Sequence, residues 1–214
     1  MFCSNCGNQI ADNARFCGVC GAPATSAQPD TQVQQSAPVQ QAAPQLRRLY
    51  LNTNGLSVLN YKFEIRDEAG ALRYTAATVT ESMFTYTARL YYPDQSEALT
   101  VRQQKKMTFS AMNFDVVAPN GALITPVMQK NKLSKYVYEL SNVGIIADGD
   151  FFSHNFSFYH GNQLIARVSQ KWMSWGDCYE LEFADPSLEQ LLLGSVLVFE
   201  LVLIAQRAHR RRTR

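Results

Sequence analysis

The chain has 214 residues, 46% of them apolar, enough to build a sizeable core. Its net charge of +2 is uneven: Arg207, Arg210, Arg211, Arg212 and Arg214 crowd the last eight residues, so everything before them sums to −3. A nucleic-acid binder is expected to spread Lys and Arg over a folded face, so a basic tag at one terminus argues against nucleic acid as the partner.

Residues 1–21 come first in chain order. Four of the five cysteines lie here, as Cys3-Ser-Asn-Cys6-Gly7 and Cys17-Gly-Val-Cys20-Gly21. The start MFCSNCG has neither a basic nor a long apolar stretch, which predicts no secretory signal and a reducing, cytoplasmic setting. Each C-x-x-C-G knuckle turns tightly enough to aim two thiolates at one point, and the glycine after it admits a positive φ. Zn²⁺ takes four such ligands in a tetrahedron at about 2.3 Å, and a closed Cys₄ set leaves no position for water or substrate. The expectation is a structural zinc site at Cys3, Cys6, Cys17 and Cys20.

Phe2, Ile10, Phe16, Val19 and a few alanines are too little apolar surface to fold this segment unaided. Metal binding would then supply most of the stability, on the order of 10 kcal/mol. Two disulfides or a redox C-x-x-C are the competing readings, but the redox motif requires a βαβ pattern that does not follow here. The segment Cys3 to Gly21, with its F-C-x-x-C-G at Phe16 to Gly21, resembles the short zinc ribbon at the N-termini of many bacterial proteins. Apart from its ligands it carries only Asp12 and Arg15 as charges, so a protein contact is expected in place of a phosphate contact.

Residues 22–45 are built almost wholly of Ala, Pro, Gln, Ser and Thr, with Asp30 the single charge. Such a stretch cannot bury enough surface to offset the entropy of ordering, and it reads as a disordered linker. A flexible coil of this length spans roughly 25 to 30 Å end to end.

From residue 46 the pattern changes to alternation. Tyr61, Phe63 and Ile65 share one face while Lys62, Glu64 and Arg66 take the other; Leu164, Ala166 and Val168 likewise oppose Arg167, Ser169 and Lys171. Asp67-Glu-Ala-Gly70, Pro119-Asn-Gly121 and His160-Gly-Asn162 read as hairpin turns. Phe63 to Leu72 and Phe114 to Leu123 place Phe, Gly and Leu at identical offsets, with Phe156 to Leu164 a looser copy. Repeated hairpins of this kind predict a mainly β fold, a closed antiparallel barrel that leaves no exposed edge. About ten to twelve strands fit the length, and a barrel that wide needs something along its axis. Strands between 92 and 151 cannot be placed from the pattern.

Leu191 to Ala205 reads LLLGSVLVFELVLIA, apolar on every side except at Ser195 and Glu200. As a helix these residues measure about 22 Å, short of the ~30 Å hydrocarbon core of a bilayer. Glu200 near the centre would cost roughly 2.5 to 3.5 kcal/mol in lipid. The positive-inside rule would also keep the Arg cluster cytoplasmic and send the cysteines outside. The barrel axis is the better place for such a helix. It starts with Asp185 as cap, Pro186 in the first turn and Glu189 beside the positive dipole end, and spans about 187–206, leaving 207–214 as a basic tail.

Here a second resemblance enters. Ala166-Arg-Val-Ser-Gln-Lys171-Trp172-Met-Ser-Trp175-Gly176-Asp177-Cys-Tyr179-Glu180-Leu-Glu182-Phe183, followed by Asp185-Pro186 and an apolar helix with an acidic residue, is similar to the end of a LURP-one-related domain. Tyr61 to Leu72 resembles that family's opening hairpin, and the resemblance covers residues 46–206. It implies the Tubby C-terminal-like fold shared with Tubby proteins and phospholipid scramblases: twelve strands around a hydrophobic central helix. It implies no family-wide catalytic site.

The residues give little chemistry to set against that. His154, His160 and His209 are the only imidazoles, with no nucleophile elbow, phosphate loop or ligand cluster beside them. Cys178 with His160 as base is conceivable, but Glu180 and Glu182 on the same strand face would oppose a thiolate. Trp172 and Trp175 read as cover for a barrel end more readily than as stacking platforms. The expectation is a cytoplasmic, monomeric, non-catalytic scaffold. Its barrel presents a protein- or lipid-headgroup-binding surface, and its ribbon recruits a protein partner. The alternative is a membrane-associated, scramblase-like protein at the inner membrane face, where Arg207, Arg210, Arg211, Arg212 and Arg214 meet anionic lipid at about 1 kcal/mol each.

Overall fold

The structure is a computed structural model that describes residues 8–9, 46–55, 61–82, 85–104, 112–132, 135–173 and 176–212. The chain divides into two units, residues 1–42 and 43–214. The cysteines Cys3, Cys6, Cys17 and Cys20 and nearly all of the expected linker lie outside the described residues.

In the second unit, twelve strands among the described residues run up and down around a closed barrel. They are β1 (Arg47–Gly55), β2 (Tyr61–Asp67), β3 (Leu72–Ser82), β4 (Thr85–Tyr91), β5 (Glu97–Gln103) and β6 (Phe114–Val117). Then come β7 (Leu123–Lys132), β8 (Lys135–Leu140), β9 (Ile145–Asp150), β10 (Asn155–His160), β11 (Gln163–Met173) and β12 (Gly176–Phe183). Each pairs antiparallel with its neighbours in sequence, and β1 pairs with β12 through Arg47↔Phe183 to Asn52↔Cys178, which closes the ring. The expected closed barrel is the fold, and its strand edges are all consumed.

The alternation in sequence becomes inside and outside. Leu49 and Leu51, Phe63 and Ile65, Tyr74 and Ala76, Ala88 and Leu90, and Leu181 and Phe183 belong to the buried core, while Arg48, Glu64 and Arg66 face outward. At one end the hairpins close with a repeated device. Gly70 N–H donates to Asp67 O and Asp67 N–H to Ala71 O; Gln95 to Tyr92 and Tyr92 to Ser96; Gly121 to Ala118 and Ala118 to Ala122. The residue before the last takes the left-handed backbone region in each, at φ 79° for Gly70, 68° for Gln95 and 83° for Gly121. The 92–96 turn was not visible as a repeat because Gln95 stands where the other two have glycine. An Asp94 carboxylate accepting from Ser96 N–H and Oγ–H holds it instead, and those bonds pull the Asp94 carboxyl below its usual range.

The axis is filled by α1 (Glu189–Arg212), entered through a short 3₁₀ turn at Pro186–Leu188. Asp185 caps that turn, its Oδ1 accepting from Ser187 N–H at 2.9 Å and Ser187 Oγ–H at 2.7 Å. At 24 residues the helix is about 36 Å long. Every residue from Leu191 to Ala205 is buried, so an all-round apolar surface meets an all-round wall. Phe199 sits in a nest of Tyr138, Phe151 and Phe156 with ring centroids 4.8, 4.5 and 4.9 Å away. On another side Gly194 allows close approach: a Cβ there would stand 3.2 Å from Leu99 and 3.3 Å from Val116.

The helix does not end near residue 206. It continues to Arg212, so the stretch read as a basic tail is helical through that residue, with Arg214 outside the described residues. Ala, Gln and Arg at 205–207 are helix formers, and nothing in the sequence interrupts the turn.

Candidate functional site

An apolar helix in an apolar barrel could slide or rotate. Two buried carboxylates on α1 prevent it. Glu189 lies in the first turn; its Oε1 accepts from Tyr74 O–H at 2.8 Å, and its Oε2 is 3.2 Å from the Arg47 guanidinium. One residue on, Gln190 Nε2 donates to the Tyr92 hydroxyl, and Tyr92 packs on Tyr74 at 5.5 Å. Burial and the neighbouring Glu189 together push the Tyr74 phenol well above its ordinary pKa.

The second carboxylate, Glu200, lies three turns further along. Its Oε1 accepts from Tyr179 O–H at 2.8 Å and lies 2.6 Å from His154 Nε2. A carboxylate only accepts, so this ring nitrogen carries the hydrogen. His154 stacks on Tyr179 with centroids 4.4 Å apart and planes 9° apart. The Glu200 side chain is 7% exposed. Burial, then the charge of Glu200, raises the Tyr179 phenol well above its ordinary range, which keeps it a donor. His154 reaches this position from the β9–β10 connection with φ 51°, and Asp150 Oδ1 secures the same connection by accepting from Phe152 N–H at 3.0 Å and Ser153 N–H at 3.2 Å.

Each lock therefore pairs one barrel tyrosine and one basic side chain with one helix carboxylate, one just before the apolar stretch and one within it. The sequence reading noted Glu189 as a dipole partner and Glu200 as an obstacle to membrane insertion. It missed their partners, because Tyr74, Arg47, His154 and Tyr179 are 115, 142, 46 and 21 positions away from them.

The conceivable nucleophile pair does not form. Cys178 opposes Lys171 on β11 whereas His160 opposes Gln163, eight residues along the same strand, or roughly 27 Å. Cys178 is buried, its Sγ 3.8 Å from Lys171 O. Beside it, Glu180 is held by Lys171 at 3.3 Å and Arg48 at 3.9 Å, and Arg48 also reaches Glu182 at 2.9 Å. This ladder staples the β1–β12 seam that closes the barrel. Trp172 lies in β11, and Trp175 falls outside the described residues.

Of the arginines expected to meet anions, Arg207 is exposed on α1, and Arg210, Arg211 and Arg212 complete the helix. Among the described residues no group of three His, Cys, Asp or Glu could hold a metal. Among them, too, Pro186–Arg207 is long and apolar enough to cross a membrane, but 89% of its apolar window is buried within the protein.

A family model described as LURP-one-related matches residues 47–200, and a zinc-ribbon domain model matches residues 2–24. An uncharacterized protein of Bacillus subtilis (strain 168), YxjI, is 26% identical over 120 residues, 56% of this chain and 74% of that protein. A solved structure of an Arabidopsis thaliana protein aligns at 15% identity with a TM-score of 0.47, covering 72% of this chain and 91% of that one.

Proposed function

The chain belongs to the LURP-one-related family, and from that premise we propose a non-catalytic interaction protein in which the barrel is a binding platform and the zinc ribbon recruits a protein partner. One observation carries this reading: α1 occupies the barrel axis from Leu191 to Ala205 with every residue buried. A barrel that encloses a ligand keeps its axis open, as wide barrels can. This one spends its interior on its own helix, which leaves the outer wall and the two ends for contact.

The ribbon supports the second half of the proposal. Cys3, Cys6, Cys17 and Cys20 are a soft, four-thiolate donor set matching Zn²⁺, and bound zinc would supply folding energy there without an open coordination position. With two charges outside its ligands, the ribbon suits a protein surface better than a phosphate backbone.

The test is affinity capture from cell lysate with the full chain and with Cys6→Ser/Cys20→Ser, alongside zinc analysis of both. The expected result is one zinc per chain in the first, none in the second, and loss of ribbon-dependent partners with the barrel's circular dichroism unchanged. An identical set of captured proteins would remove the ribbon from the account.

A further inference from the structure

The two ends of the barrel differ in chemistry. Around the entry of α1 the turns carry Asp67, Glu68, Asp94 and Asp185, with Asp94 and Asp185 exposed. Arg47, Arg48 and Arg66 near this end face carboxylates, on Glu189, on Glu68 with Glu182, and on Glu64. At the opposite end α1 leaves the barrel: Ala205 is buried, Gln206 half-buried and Arg207 exposed. The helix then runs on to Arg212, so Arg207, Arg210, Arg211 and Arg212 all lie beyond the wall, within about two turns.

Beside this exit stands an aromatic residue that the fold does not use. Phe151 is packed inward against Phe199, whereas Phe152 is 50% exposed. Phe152 adjoins Val202, Leu203 and Gln206 around a small surface hollow at the helix exit. Its presentation is fixed: Asp150 ties down the backbone on either side of it, and His154 anchors the same turn to Glu200. Asp148 and Asp150 are the acidic groups of this hairpin, and the Asp150 carboxylate is committed to the turn, which lowers it below the usual carboxylate range. A half-exposed ring beside the exit of a helix whose last turns carry four arginines is the combination that settles at a bilayer interface, with the ring at headgroup level and the guanidinium groups on phosphates. Nucleic-acid binding calls for cations spread along a face, but these are gathered on one helix end.

We propose that the end from which α1 emerges docks on an anionic phospholipid bilayer, with Phe152 entering the headgroup layer and Arg207, Arg210, Arg211 and Arg212 meeting lipid phosphates. The acidic entry end then points away from the membrane. This rests on the reading of the barrel as a binding platform, and it leaves the ribbon free for a protein partner.

The test is co-sedimentation of the full chain with phosphatidylcholine vesicles containing or lacking about 30% phosphatidylserine. The expected result is binding to the anionic vesicles only, weakened by about 0.5 M NaCl as screening predicts. Arg210→Gln/Arg211→Gln/Arg212→Gln lowers affinity on the order of 100-fold, at about fivefold per basic residue. Phe152→Ser weakens binding several-fold, and Arg89→Gln on the side wall leaves it unchanged.

Orientation has its own readout. Trp172 is the last residue but one of β11, whose end lies at the exit end of the barrel, so brominated lipids should quench tryptophan fluorescence on binding. Equal binding to neutral vesicles, undiminished binding of the triple variant, or binding without quenching would each overturn the proposal. So would capture of a labelled DNA duplex by the same arginines in a chain that ignores vesicles. A chain that fails with vesicles but still recruits proteins through its ribbon overturns the lipid surface alone.

Discussion

Tyr179→Phe isolates one lock with the least disturbance. It deletes the hydroxyl that donates to Glu200 at 2.8 Å and leaves the ring free to keep its stack on His154. A hydrogen bond to a buried charged acceptor contributes about 1.5 to 3 kcal/mol. For a unit the size of residues 43–214, a loss of about 2 kcal/mol lowers Tm by roughly 4 to 8 °C. Urea unfolding followed by circular dichroism should show a lower midpoint at unchanged slope. The decisive arm repeats the substitution in a Glu200→Leu background. There the hydroxyl has no carboxylate to meet, so the same change should cost less than about 0.5 kcal/mol, giving a coupling near 1 to 2.5 kcal/mol. Equal costs in both backgrounds would mean that the hydroxyl works through packing or another partner, and the lock would be refuted.

Three further outcomes follow from the same geometry. Tyr179 has its folded-state pKa raised above the unfolded value near 10, so its contribution is complete below about pH 10 and is lost as pH rises beyond it; stability should fall by up to about 1.4 kcal/mol per pH unit, less steeply in Tyr179→Phe, as read by urea midpoints across alkaline buffers. Gly149→Ala should destabilise by about 2 to 4 kcal/mol in thermal unfolding, because φ there is 140° and the new Cβ would meet Phe156 Cα at 2.6 Å. Truncation after Asp185 should abolish cooperative unfolding in calorimetry and leave an aggregating product; a stable, monomeric truncated barrel would show that α1 is not the core.

Much of this architecture was legible because its signals are local. Alternation over Tyr61 to Arg66 and Ala166 to Lys171, three Gly-bearing turns and an all-round apolar run are read within windows of about ten residues; Leu164, read on the same inner face, is instead 45% exposed, because the β10–β11 register shifts at Tyr159. The region from 92 to 151 resisted for an equally local reason. Its turns at 92–96 and 141–144 lack the Asn-Gly or Asp-x-x-Gly cue, and β6 has only four residues, Phe114–Val117, too few to display a period. What no local reading could supply is the partnering of Glu189 and Glu200. Charge alone marked Glu200 as awkward in lipid, but closure of the ring is needed before β3, β12 and the β9–β10 turn converge on one helix.

That convergence also explains how so apolar a helix is held inside the barrel. Between Leu191 and Ala205 the helix offers hydrophobic surface in every direction, and burial of such side chains, about 1.5 to 3 kcal/mol each, sets rotation and height only through local fits such as Gly194 against Leu99 and Phe199 among its rings. Glu189 and Glu200 add a sharper constraint. A shift of one turn, 5.4 Å, would separate both carboxylates from Tyr74 and Tyr179 at once and leave two charges buried without partners, at several kcal/mol apiece. The hydrophobic residues thus decide that the helix is inside, while the two polar contacts reinforce the register that Gly194 and Phe199 also select, and with it where Arg207 leaves the barrel.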